Sequence, residues 1–483
     1  MMSGKIADMK EIQVEPEALS KVERRGVRRS LFLDRLREYL RFDSFLYRKM
    51  CGIGGALVAI ILLACGRKKK GLSILATLHR SNFAALSNWI AATVFRKTET
   101  RHATKSSARF VFESHIAQAR ERLRREAGAA PFVENTHRLL GSRVLVLKSP
   151  KANEKGVIVI DYSWLFPLLA NLYDVTQMAQ RYHLVLEPSW SGYCDLDILC
   201  YSLFDFPVFV QSCEPRDSLF LQKSSTNFLP VAIGANWWVD HRIMRPLPEV
   251  QKDVDVIKIA SWNRFKRHGP FFAALARLRR KGERLRVVLI GYSGDYHLDD
   301  IYRQARYYGI GDQVEMYERI SPEEVNRHLN RAKVNVVWSR KEGVNRTSVE
   351  GLFAGVPCVM REGFNYGYHY PHINPATGCY SSERALPEKL LWMTRNYQTF
   401  AAREWVMANM TCQKATEILS DSIRRVAVAN GEEWTQGLAA KTSFLSTMSY
   451  WDDEDKKQFA GDYDYLRSLL REPGIPRAFP AFA

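Results

Sequence analysis

Glu342 and Glu350 stand with seven residues between them in the run SRKEGVNRTSVEGLFAGVPCVM. If the first lies in a loop and the second in the opening turn of the helix that follows, both can line one crevice. Carboxylates placed there accept hydrogen bonds from hydroxyls. Between them Gly343, Val344 and Asn345 are small or flexible and lead through Arg346 and Thr347 into the helix, so backbone N–H groups can approach an anion at its start. Upstream, SWNRFKRHG gathers Arg264, Lys266 and Arg267, a basic cluster that suits an anion near the crevice or a solvated face. His183, His241, His268, His369 and His372 suit structural roles better than catalysis, and Trp237 and Trp238 suit packing. Gly291 and Gly294 in VVLIGYSGDYH fall short of the G-x-G-x-x-G pattern of dinucleotide sites. No paired aspartates with metal-ligand spacing occur near a strand end, so no metal site is expected.

The elements that must position these residues are legible around them. DVIKIASWN reads as a strand, HGPFFAALARLRRKG as a helix with Pro270 in its first turn and Gly282 beyond its end, and LRVVLIGYSG as a second strand. After a stop at Gly309, QVEMYERI and KVNVVWS are further strands, separated by a helix that Ser321 and Glu324 open as a capping box. The helix from about Thr347 then ends at Gly355 before the strand PCVM. This β-α-β-α succession predicts a doubly wound parallel sheet whose ligands bind outside the carboxyl ends of the strands. The earlier half carries SRVLVLK, KGVIVIDYS, YHLVLEPSW, DFPVFVQS and NFLPVAIGANWWVD as strands alternating with helical stretches, and predicts a second α/β sheet.

At 483 residues the chain is too long for one ordinary core. Its 70 Lys+Arg against 52 Asp+Glu give a net charge of +18, which favours anionic partners; charge alone leaves nucleic acid open. The eight cysteines show no C-x-x-C pairing and read as mostly reduced. The first fifty residues are charged and lack a cleavable signal. Met50 to Gly66 is uncharged between Arg48-Lys49 and Arg67 to Lys70; as a helix it reaches only about 25 Å, against roughly 30 Å of hydrocarbon. That length favours association with an anionic membrane surface over a single span, with a buried helix as the remaining reading. Leu33, Leu36, Leu40 and Tyr39 among arginines, and Leu75, Leu78, Leu86, Trp89 and Ile90, suggest basic amphipathic helices on either side. A charged helix is expected from about Lys105 to Glu126.

The loop with the two glutamates, its helix and the following AGVPCV resemble the retaining glycosyltransferases of family 4, the glycosyl transferases group 1. The resemblance covers about Val157 to Tyr380 and implies the GT-B fold, two Rossmann-like domains facing across a cleft. It implies that Glu342 contacts hydroxyls of a donor sugar and that Glu350 binds the ribose of a nucleoside-diphosphate sugar. A basic pair in the family neutralises the leaving diphosphate. Here the spacing departs from the common one and leaves open which of Arg264, Lys266 and Arg267 makes each contact. In REGFNYG, the residues Glu362, Gly363 and Phe364 would border the donor sugar. The reaction implied is transfer of a hexose-type sugar to a glycan or lipid-linked acceptor with retention, no cofactor beyond the co-substrate, no metal and no nucleic-acid partner. A nucleotide-sugar epimerase of the same architecture and a non-catalytic scaffold of a polysaccharide-assembly complex are the rival readings. Asn345-Arg346-Thr347 and Asn409-Met410-Thr411 fit the N-glycosylation pattern, and a glycan at Asn345 would block the crevice; this predicts the cytoplasmic side of a membrane. The expected division is 1–104 as a helical extension, 105–245 as the acceptor domain, 246–425 as the donor domain and 426–483 as a helical tail.

Overall fold

A computed structural model describes residues 19–81, 143–189, 196–444 and 447–470, with 117, 121 and 140 as isolated positions. Leu86, Trp89, Ile90 and all but two positions of the helix expected over 105–126 lie outside the described residues. Three helices come first: α1 (Lys21–Glu38), α2 (Phe45–Ala64) and α3 (Lys68–Ser81). A capping box opens α1, with Glu23 N donating to Ser20 Oγ and Ser20 N donating to the Glu23 carboxylate.

The fold is mixed α/β with two largely parallel sheets and a helical N-terminal region. The chain forms two compact units, each built from two stretches: Arg41–Trp238 with Cys412–Ala483, and Met1–Leu40 with Val239–Thr411. The N-terminal extension is therefore shared, since α1 joins the later sheet while α2 and α3 join the earlier one. The C-terminal stretch also returns to the earlier unit.

In the earlier unit β1 (Val144–Lys148) is antiparallel to β2 (Gly156–Asp161), because residues 149–155 are too few for a crossover. From β2 onward, β3 (Tyr182–Glu187), β4 (Val208–Gln211) and β5 (Phe228–Val231) are parallel and lie side by side in chain order. The strands β1 to β4 are buried along their whole length, as expected for a sheet covered on both faces. Trp238 is a core residue here, fully buried and donating Nε1–H to Gln211 Oε1 at 3.0 Å.

Helix α2 is longer than the uncharged segment, starting at Phe45, and its 20 residues reach about 30 Å. Its small residues Gly52, Ala56 and Ala59 are buried, and a Cβ at Gly71 of α3 would meet Leu63 at 2.8 Å and the Ala59 carbonyl at 2.9 Å. The two helices thus close into a hairpin through small residues, while Phe45, Leu46, Met50, Leu57 and Ile61 remain exposed. By length and composition α2 could cross a membrane, with a mean hydropathy of 1.7.

In the later unit β6 (Val254–Ile259), β7 (Val287–Gly291), β8 (Val314–Glu318), β9 (Ala332–Val337), β10 (Cys358–Arg361) and β11 (Gly378–Ser381) form one parallel sheet in the order β11-β10-β9-β6-β7-β8. Val256, Leu289, Met316, Val334 and Val359 pack against Phe271, Leu275, Ile301 and Leu390 of the covering helices. The stops act as expected: Gly282, Gly309 and Gly355 all take positive φ, where a side chain would be strained. Ser321 and Glu324 satisfy each other's backbone N–H as a capping box.

Candidate functional site

The order of the later sheet dictates where a ligand can sit. From β6 the chain winds outward to β7 and β8, then returns to place β9 on the other side of β6. The loops after β6 and β9 therefore leave the sheet in opposite directions and open a crevice between them. The expected site residues follow β6, β9 and β10, three adjacent strands.

Lys266 and Glu342 meet across that crevice, Nζ to Oε1 at 2.5 Å, with both side chains mostly buried. Ser339 Oγ donates to the same carboxylate oxygen at 2.6 Å. The two loops are also tied through backbone, Arg340 N donating to the Phe265 carbonyl at 2.8 Å. Arg264 behaves differently from Lys266. Its guanidinium is half exposed and drawn away by Asp34 of α1 at 3.1 Å and by Asp295 at 3.7 Å. Arg267 adopts φ +58° and is buried, held by the carboxylates of Glu38 on α1 and Glu383. Burial works against its charge, and Glu383 sustains it. Arg340, on the loop with Glu342, reaches Glu38 at 3.8 Å.

Glu350 sits in the first turn of the helix Thr347–Phe353, buried, with Arg346 Nε 3.5 Å from its carboxylate. Burial raises its pKa, and Arg346 pulls the other way. Asn345 is buried too, and its side chain serves the fold: Oδ1 accepts from Ser348 N at 2.9 Å and so caps the helix. Its Oδ1 is thus committed to the helix start rather than to a ligand. Ser348 Oγ lies 3.1 Å from His372 Nε2, and burial pushes His372 down to about 4, so the ring stays neutral. Gly343 follows Glu342 in the loop. After β10, Gly363 takes φ +73° and Phe364 is fully buried against Tyr370, while Glu362 is exposed and its N–H donates to the Ser381 carbonyl. Of this trio Glu362 and Gly363 remain accessible, whereas the Phe364 ring belongs to the core.

Two residues escaped the sequence reading. Lys258, near the end of β6, is fully buried and its Nζ has no hydrogen-bond partner. Burial, with the charge of Lys266 beside it, pushes the ammonium down to about 7, and Glu342 opposes that shift. A lysine buried in a strand cannot be told from an edge residue by pattern, because the alternation around it looks half-exposed. Arg340 lies in the same run as the two glutamates, but nothing in its spacing shows that it turns toward Glu38. The helix in front of the crevice has only seven residues, so cationic side chains must supply most of the attraction for an anion.

The earlier unit presents carboxylates of its own at its strand ends. Asp161 and Glu187 are register partners at the ends of β2 and β3. Arg143 meets Asp161 at 3.1 Å and Lys441 meets Glu187 at 2.8 Å. Burial, reinforced by Glu187, raises Asp161 to about 6.

Residues 240–368 match the family model of glycosyl transferases group 1, a stretch that holds β6 to β10 together with Lys258, Lys266, Glu342 and Glu350. The match supports a sugar-transferring domain in the later unit. No curated protein matches the sequence. Among solved structures the chain is similar to sucrose-phosphate synthase from Thermosynechococcus elongatus, at 16% identity over 56% of this chain and 74% of that one, TM-score 0.43. It is similar to S. aureus TarM at 14% identity over 55% of each chain, TM-score 0.43; this chain thus spans about half of that protein. The C-terminal domain of the group 1 family protein LpcC from Francisella tularensis is 16% identical, with 36% of this chain and 98% of that one covered and a TM-score of 0.31.

Lys258 gives the site a pH signature. Between pH 7 and about 10 the unfolded chain holds a proton on this lysine that the folded protein lacks, so folding stability rises with pH across that window. Lys252, lowered to about 8 by burial, acts in the same window and cancels in a comparison of variants. Lys258→Met should flatten the wild-type slope by up to roughly 1.4 kcal/mol per pH unit in chemical denaturation. Parallel slopes would show that the lysine is charged in the fold.

Proposed function

We propose that the protein is a retaining glycosyltransferase of family 4 type, moving a hexose-type sugar from a nucleoside-diphosphate sugar to a glycan or lipid-linked acceptor. The observation that carries this reading is the Lys266–Glu342 pair at the switch point of the later sheet, with Glu350 buried in the next helix. In this proposal the ribose hydroxyls donate to Glu350. The diphosphate draws Lys266 away from Glu342, which frees that carboxylate to accept from hydroxyls of the sugar. Cationic Lys266, with Arg340 beside it, stabilises the negative charge that grows on the diphosphate as the bond to the anomeric carbon breaks. Lys258, its pKa lowered to about 7 in the empty crevice, is drawn further toward its charged form as the anion arrives. The acceptor hydroxyl attacks the same face, its proton passing to the departing phosphate oxygen, so the reaction needs no protein base. Arg264 is assigned a lesser part, since α1 and Asp295 hold it away.

We further propose that the acceptor binds the earlier unit, where Asp161 and Glu187 would accept from its hydroxyls. The protein is assigned to the cytoplasmic side of a membrane, peripheral or monotopic, through the exposed apolar face of α2. Burial of Asn345 fits that side, because a glycan there could not be accommodated without opening the helix cap.

Glu350→Ala should weaken binding of uridine or guanosine diphosphate in a thermal-shift panel. Glu342→Ala should leave that binding nearly intact and lower transfer. Each loss should be about 1–3 kcal/mol, the range for hydrogen bonds to charged groups. Nucleotide-sugar conversion without any acceptor would instead indicate an epimerase, and binding without turnover a scaffold. Wild-type behaviour of both variants would remove the donor site from this crevice.

For the membrane assignment, Leu57→Lys/Ile61→Lys places two charges on the exposed face of α2 without touching its contacts with α3. The double variant should shift from pellet to supernatant when sedimented with anionic vesicles. An unchanged distribution would contradict anchoring by this face.

A further inference from the structure

On the outer helical layer of the later unit, α1 and the helix His268–Arg280 enclose a cavity of about 1300 Å³. Lys21, Arg24, Arg25 and Arg28 of α1 line one side, and Arg277, Arg279 and Arg280 line the other. Ala273 and Ala276 form a floor of small side chains, and Tyr307 and Tyr308 add ring edges and hydroxyls. Nine cations border the cavity, against one acid, Glu383.

The geometry of α1 is fixed rather than incidental. Leu31 fills the space over Gly269, where a Cβ would approach it to 2.6 Å. Asp34 accepts from Tyr296 and pairs with Arg264, and Glu38 pairs with Arg267. Arg35 reaches the Tyr308 hydroxyl at 3.4 Å. On the far wall Arg277 donates to the Glu383 carbonyl at 2.8 Å, so its side chain is also placed.

Elsewhere on this unit many exposed cations are paired with acids, among them Arg303 with Asp300, Arg286 with Glu315, Arg395 with Glu283 and Lys281 with Glu388. Among the described residues Lys21, Arg24, Arg25 and Arg28 make no such pair. Like charges gathered from separate elements within a Debye length repel; Asp312 answers Arg279 on the far wall, while the four cations of α1 have no acid to relieve them. Eight of the nine are arginines, whose planar forks bind oxyanions in two-point fashion. The cavity is far larger than one phosphate needs.

We propose that this groove is a second anion site, distinct from the donor crevice, which binds a ligand carrying two or more phosphate groups. Two sources share that chemistry: phosphorylated lipid headgroups and soluble oligophosphates. The test uses the full-length protein and inorganic tripolyphosphate, measured by calorimetry with and without saturating uridine diphosphate. Arg28→Glu/Arg280→Glu should lower tripolyphosphate affinity at least tenfold, and the milder Arg28→Gln/Arg280→Gln should lower it less. Arg29→Glu/Arg327→Glu makes the same change in net charge outside the groove and should cost under threefold. Thermal shifts by uridine diphosphate should be alike in all variants, which keeps this proposal separable from the donor-site reading. If tripolyphosphate also competes the protein off vesicles containing phosphatidylinositol bisphosphate, the source is the lipid headgroup; if it binds without affecting them, the source is soluble. The proposal is overturned if both glutamate doubles bind tripolyphosphate equally, if uridine diphosphate displaces it, or if a hexaglutamate peptide binds as tightly.

Discussion

Lys258, Lys266, Arg267 and Arg340 are crowded at the carboxyl ends of β6 and β9, where like charges repel unless anions intervene. Glu342 answers Lys266, Glu38 and Glu383 answer Arg267, and Lys258 is left buried without a hydrogen-bond partner. A ligand that brings further negative charge into the crevice relieves a cost already built into the fold. Most other features follow from that demand. The switch between β6 and β9 opens the space, the tie from Arg340 N to the Phe265 carbonyl holds the two loops in register, and Asn345 fixes the start of the helix that carries Glu350.

Helix α1 belongs to this arrangement although the whole earlier sheet separates it in sequence. Asp34 and Glu38 near its C-terminal end hold Arg264 and Arg267, while Lys21, Arg24, Arg25 and Arg28 line the outer groove. The acids at that end explain why Arg264 and Lys266, near neighbours in sequence, have different surroundings. Arg264 is pulled toward solvent by Asp34 and Asp295, while Lys266 turns inward to Glu342.

Much of the later sheet could be read from the chain, because its strands are bounded by residues with a single physical use. Gly282, Gly309 and Gly355 stop helices in the left-handed region, and Ser321 with Glu324 starts one. The placement of Glu342 and Glu350 at a strand end and in a first helical turn follows from the same punctuation. What could not be read was long-range. Nothing local reveals that α1 reaches Arg264, that Lys258 is fully buried, or that the chain after Cys412 returns to the earlier sheet. That the Asn345 side chain caps the helix could not be read either, because capping is decided by the final backbone geometry. The apolar α2 was legible in composition but not in extent: capped by Ser44, its helix begins at Phe45, before the uncharged run starts.

Hydrogen exchange of the full-length protein with and without saturating nucleoside diphosphate tests the central claim most directly, because it reports where the anion lands. The account predicts slowed exchange in the loop after β6, residues 260–267, and from 339 to 350, with little change at the ends of β7 and β8. Protection confined to the outer groove around α1, or absent from both loops, would contradict it.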